Sequence, residues 1–168
     1  VQVHFTYVTQ TTTKGTPNAT YSILQNIIDG TIGNYMADGE DKAAKLRVDS
    51  AIGLNEFYSD RNGKEELVST KRNEGGFVHT TTTLIDDEKQ RNTFKCDMII
   101  TNVTHIDADE EHNIPEKVIV KGAIFDFRKS LLPVEFTATN PGAMAYYEGL
   151  GASPSEPVFT KLWGRQVS

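Results

Sequence analysis

The chain has 168 residues with 17 basic and 23 acidic side chains, a formal net charge of −6, and 38% hydrophobic and 9% aromatic residues. That balance excludes wholesale disorder, and a mean hydropathy of −0.42 without an apolar run near the ~20 residues of a membrane helix excludes a helical span. One cysteine, Cys96, excludes an internal disulfide framework and a Cys-rich zinc site, and net acidity argues against coating nucleic acid by bulk positive charge.

Val1, Val3, Phe5 and Tyr7 alternate with polar residues and predict a first strand. A Thr-rich turn follows, then Asn18 as an N-cap. Ile23, Leu24, Ile27 and Ile28 at helical spacing predict an amphipathic helix over Ala19–Asp29, stopped by Gly30. The Gly-containing stretch 30–45 reads as a loop and as the boundary between an N-terminal arm, 1–44, and a body, 45–168. In the body, Leu46, Val48, Ile52 and Leu54 share a period-two face, and Asp60–Gly63 carries an Asn-Gly turn. Short strands are expected over Leu67–Lys71 and Phe77–Leu84, separated by Asn73–Gly76. Phe94, Cys96, Met98, Ile100 and Ile106 mark the clearest strand. A hairpin over Lys117–Phe127 and Leu131–Thr139 turns at Arg128-Lys129-Ser130. Asn140 caps and Pro141 opens a short helix, and Val158–Val167 forms the last strand.

An antiparallel sheet of this order leaves long edges unless it closes, so the expectation is a mainly β fold: an OB-type closed barrel of about five strands. An N-terminal helix and a short helix before the last strand accompany it, with Gly53 and Gly122 at points of tight coiling or a bulge. A β-sandwich is the alternative. The start at Val1 and the strand-like end predict that a natural start and a C-terminal tail are missing or processed. No charged-then-apolar leader precedes the first strand, so the expected location is cytoplasmic.

Catalytic and cofactor motifs are lacking: the sequence holds no HExxH, CxxC, GxSxG or phosphate-cradling glycine loop, and no cofactor is expected. His105 and His112 stand near Asp107, Asp109, Glu110 and Glu111, a run that reads as a solvated acidic loop and not a metal site. Cys96 alternates with Phe94 and Met98 and reads as core.

The remaining signal is basic residues interleaved with aromatics. Single-stranded nucleic acid is held by cations along its phosphates and by flat rings stacked on its bases. The candidate phosphate contacts are Arg47, Lys71, Arg72, Lys95, Arg128, Lys129 and Arg165, and the stacking candidates are Phe57, Tyr58, Phe77, Phe127 and Trp163. Phe125 and Phe127 share one face with Ile119, and Val118, Val120 and Ile124 the other; one of the two faces must be core.

Val120–Phe136, the Asn140–Tyr147 helix and Val158–Gly164 together resemble bacteriophage OB-fold single-stranded DNA-binding proteins, with Arg47–Tyr58 and Glu66–Val78 similar to their earlier barrel strands. The resemblance covers about residues 45–168. It implies a non-catalytic protein of phage DNA replication or recombination that binds single-stranded DNA on a barrel face. It also implies contact with replication or recombination proteins through an acidic tail. The residues leave DNA against RNA and self-association open. A β-rich structural or assembly protein of a virion is the rival.

Overall fold

The computed structural model describes residues 1–61, 63–126 and 129–167. They divide into two compact units, Val1–Arg91 and Asn92–Val167. The arm expected over 1–44 therefore falls in one unit with the first strands of the body.

In the first unit, helix α1 (Ala19–Ile28) begins at Asn18, whose side-chain oxygen accepts the Thr20 N–H at 3.1 Å, the cap its sequence predicts. A short helix α2 (Tyr35–Asp38) lies in the stretch read as loop, capped in the same way by Asn34. Strands β1 (Leu46–Arg61) and β2 (Lys64–Thr80) form a long antiparallel ribbon in register from Leu46 opposite Thr80 to Arg61 opposite Lys64. The buried Thr20 hydroxyl accepts the Val78 N–H at 3.1 Å and ties α1 to β2.

Two expectations need correction in this unit. The first strand reduces to one bridge: His4 N–H donates to the Asn73 carbonyl and Gly75 N–H to the His4 carbonyl, both at 2.8 Å, while Val1 and Tyr7 stay exposed. The break expected at Gly75-Gly76 does not occur, and β2 runs through it. Gly76 is the extra residue of a bulge opposite Asp49 and Ser50, and the Phe5 ring occupies the space where a Gly75 Cβ would stand. Asn62 of the Asn-Gly turn lies outside the described residues.

The second unit is a four-stranded antiparallel sheet in the order β5-β4-β3-β6: β3 (Thr93–Ile106), β4 (Lys117–Phe125), β5 (Leu131–Ala138) and β6 (Val158–Arg165). Met98, Ile100, Val118, Val120, Ile124, Leu132, Val134 and Leu162 are buried and share one face by register. Helix α3 (Pro141–Gly149) packs against β3 and β4 and buries Met144; Asn140 caps it and Pro141 takes its first position. The core face is thus the Val118–Val120–Ile124 face, and Ile119 and Phe125 point the other way. A bulge between Ile100 and Asn102 lies across from Gly122, where a Cβ would collide with the Ile99 carbonyl; this is the bulge expected at Gly122.

The fold is mainly β, but its two antiparallel sheets are not closed into a barrel. Among the strands of the described residues, β1 and β2 pair with each other and with no other strand, the His4 bridge on β2 apart, and β6 pairs with β3 alone. The second sheet ends on β5, whose Pro133 lacks the N–H that a further neighbour would need, so proline at this position suits an edge.

Candidate nucleic-acid interface

Period-two geometry turns every second residue of the four-stranded sheet away from its core. On β6 these residues are Phe159, Lys161, Trp163 and Arg165; on β3 they include Thr93, Lys95, Asp97 and Ile99. The pairing sets Trp163 directly opposite Lys95, Arg165 opposite Thr93, and Phe159 opposite Ile99. Trp163 is 77% exposed and Phe159 61% exposed, while Leu162 between them is 2% exposed. Phe125 and Leu131, paired across β4 and β5, continue the exposed apolar surface. The same face carries Lys95, Lys117, Lys121, Lys161 and Arg165 against the carboxylates of Asp97 and Glu135. Lys161 meets Asp97 at 3.5 Å and Lys121 meets Glu135 at 3.2 Å, both exposed pairs. Cations therefore outnumber acids on this face, although the chain as a whole is acidic.

At the β6 edge, Lys161 and Trp163 also line a cavity of about 550 Å³ with Asn140, Ala143, Tyr146 and Tyr147. The α3 cap engages only the side-chain oxygen of Asn140, which accepts the Gly142 and Ala143 N–H groups at 2.9 and 3.3 Å. Tyr146 hydroxyl lies 3.2 Å from Thr160 Oγ1. Burial is the main cause that pushes the Tyr147 phenol up from its ordinary pKa, so it stays protonated and neutral at pH 7. A second cavity, about 260 Å³, lies beside the stacked rings of Phe94 and Phe136, whose centroids are 4.8 Å apart. Rings, an amide and cations thus meet at one edge of the sheet.

The structure separates the twelve candidates drawn from the sequence. Arg47, Phe57, Tyr58, Lys71, Arg72 and Phe77 belong to the ribbon of the first unit. There Arg47 pairs with Asp49 at 3.0 Å and Arg72 with Glu74 at 3.2 Å, while Phe57, Tyr58 and Phe77 are exposed. In the second unit, Lys95, Trp163 and Arg165 come together on one face. Lys129 sits in the β4–β5 turn at φ 65°, its N–H donating to the Asp126 carbonyl at 3.0 Å. Phe127 and Arg128 lie outside the described residues. Phe159 and Lys161 were missing from the candidates, yet the spacing Phe159, Lys161, Trp163, Arg165 was a readable period-two signal.

The histidines near the acidic loop are held apart. His105 Nδ1 lies 2.6 Å from Glu148 of α3, and its Nε2 lies 3.3 Å from both Asp107 and Glu116. The Glu148 hydrogen bond is the main cause that holds the His105 pKa above its usual value; desolvation opposes it, and the charges of Glu148, Asp107 and Glu116 add to the rise. His112 pairs with Asp109 at 2.7 Å, which draws the Asp109 carboxyl below the usual range. Among the described residues no group of three or more His, Cys, Asp or Glu is placed to hold a metal ion, and no helix is long and apolar enough to cross a membrane. Cys96 is half-buried, and desolvation raises its thiol pKa.

The fold and this face define a β-rich protein of two units with an aromatic, cation-bearing sheet surface. A family model described as YorF matches residues 1–157, and the chain belongs to the YorF family. No curated protein and no solved structure matches it.

Proposed function

We propose that this chain is a non-catalytic single-stranded DNA-binding protein that acts in phage DNA replication or recombination in the host cytoplasm. One observation carries the reading: Trp163 and Phe159 stand exposed on β6 with Lys95, Lys161 and Arg165 around them on one sheet face. Stacking needs an open ring and a nearby cation for the phosphate that follows the base, and this face supplies both. Lys95, Lys161 and Arg165 then track the phosphates, and Trp163 and Phe159 take bases. The adjoining cavity, which Tyr146 and Trp163 help to line, has room for a base. The reading rests on an open sheet face and does not require an OB-type barrel. Replication or recombination proteins are the partners it implies.

The test is titration of the full chain with a fluorescent oligothymidine across a salt series, read together with Trp163 fluorescence. The expected result is binding at low salt that falls steeply as salt rises, with quenching of the tryptophan. Absence of binding at the lowest salt that keeps the protein in solution removes this reading and favours an assembly protein of a virion.

A further inference from the structure

The cavity at the β6 edge is lined by hydrogen-bond donors and rings. Among the described residues that line it, none is a carboxylate, and Ala143 is the one aliphatic side chain. Asn140 is committed on one side only. Its Oδ1 accepts the Gly142 and Ala143 N–H groups as the α3 cap, and this fixes the orientation of the carboxamide, because a cap needs its oxygen toward those donors. Nδ2, with two N–H groups, is what the carboxamide has left for a ligand. Lys161 adds an ammonium group, which meets Asp97 at 3.5 Å, and Tyr147 adds a neutral phenol. The rings of Trp163, Tyr146 and Tyr147 supply flat walls, the two tyrosines edge to face with centroids 5.2 Å apart.

Donors of this kind discriminate between bases. Thymine offers two carbonyl oxygens and a single N–H, which a tyrosine hydroxyl can accept, and its methyl group suits an apolar neighbour such as Ala143. Cytosine has the same size but carries an amino group in place of one carbonyl, which sets donor against donor. Adenine carries an amino group too, and guanine brings an amino group and a ring N–H. The amide oxygen that could accept them, Asn140 Oδ1, is held in the cap. A polar group left unmatched in a desolvated site costs more than a made hydrogen bond gains. We propose that this cavity is a thymine-selective base pocket, in which Asn140 Nδ2 donates to a carbonyl of the base while the rings stack on it. The inference rests on the DNA-binding reading for the source of the base, and adds which base is held and by which group.

Competition on the full chain tests it. Bound fluorescent oligothymidine is displaced by unlabelled oligothymidine or by oligodeoxycytidine of equal length, at neutral pH, where cytosine is uncharged. The wild type should favour the thymidine strand by roughly 3- to 10-fold, the worth of one hydrogen bond between neutral groups. Asn140→Asp keeps an oxygen for the α3 cap, so it should unfold at no lower temperature than the wild type. It replaces the donor with a carboxylate oxygen, which accepts from the cytosine amino group. The added charge weakens both strands alike, so the ratio of the two affinities is the readout. That ratio should fall to unity or invert. Equal affinity of the wild type for both strands, or a preference for cytidine, overturns the inference and leaves the DNA-binding reading in place. A thymidine preference that Asn140→Asp retains also overturns it. If the wild type binds neither strand, the DNA-binding reading fails by itself. The pocket is then tested with thymidine and deoxycytidine monophosphates, read by quenching of Trp163, the chain's one tryptophan. A preference for the thymidine nucleotide that Asn140→Asp removes sustains the pocket, and lack of that preference overturns it.

Discussion

Leu162 and Trp163 are neighbours with opposite tasks, and the period of the strand decides which is which. Leu162 points into the sheet core and Trp163 away from it. Leu162→Ala is expected to destabilise the protein by about 2–5 kcal/mol, read by thermal or denaturant unfolding, because it leaves a cavity in a packed interior. Trp163→Ala is expected to leave unfolding almost unchanged and to weaken oligothymidine binding by about 1–3 kcal/mol, the worth of one stacked base. Equal effects of both on unfolding would show that the ring belongs to the core. The cations separate similarly. Replacing Lys95 and Arg165 by Ala should flatten the slope of log affinity against log salt by about 1.4, since each phosphate contact on a single strand contributes ~0.7. Arg47→Ala with Lys71→Ala should change that slope little, because both residues lie on the ribbon. The residue types were legible in the sequence. Their company was not, since Lys95 meets Trp163 through a pairing of strands 68 positions apart.

At the scale of elements, the caps and the strongly periodic strands could be read directly. Asn18 and Asn140 accept backbone N–H groups as their sequences predict, and β3 follows the expected alternation from Phe94 to Ile100, after which the bulge before Asn102 turns Ile106 to the opposite face, beside Lys117. Alternation at Val1–Tyr7 misled, because a period-two pattern records faces and does not supply a partner strand. The glycines at 75–76 misled in the other direction, since seating Phe5 and forming a bulge need glycine as much as a turn does. The joining of α3 to the sheet could not be read either: Glu148 reaches His105 from 43 positions away. That pair gives a pH dependence. The folded His105 pKa is raised above its ordinary 6.5, so the stability it contributes is fully present below about pH 6.5 and is lost as pH rises through the folded value. Glu148→Gln should therefore lower Tm at pH 5.5 and have less effect at pH 8.5. A larger loss at the higher pH would exclude a protonated His105 as the partner. Gly122→Ala should cost about 2 kcal/mol or more by chemical denaturation, because the Ile99 carbonyl occupies the space of the new methyl and lies in backbone, which relaxes poorly.

For the whole molecule, the sequence already gives the charge of each unit: residues 1–91 hold ten bases and 13 acids, residues 92–168 seven and ten. Neither unit is basic, so attraction to DNA depends on how one face sorts its charges, and that sorting appears only with the strand register. The boundary between units is the less legible feature. Composition pointed to the glycines of 30–45, yet those residues share a unit with the ribbon, and the division falls after Arg91. The connecting stretch after Thr80 has no strand. It holds exposed residues and one 3-10 turn, Glu88–Gln90, capped by Asp87. Exposed backbone with few long-range hydrogen bonds opens at low free energy, whereas a ladder must unzip before a protease can seat it. Limited trypsin digestion of the full chain should therefore cut first at Lys89 and Arg91, and mass spectrometry should find fragments ending or beginning there before any cut at Lys95 or Lys161. First cuts inside the ribbon, at Lys64 or Lys71, would mean that the ladder beyond Asn73 opens more easily than the linker.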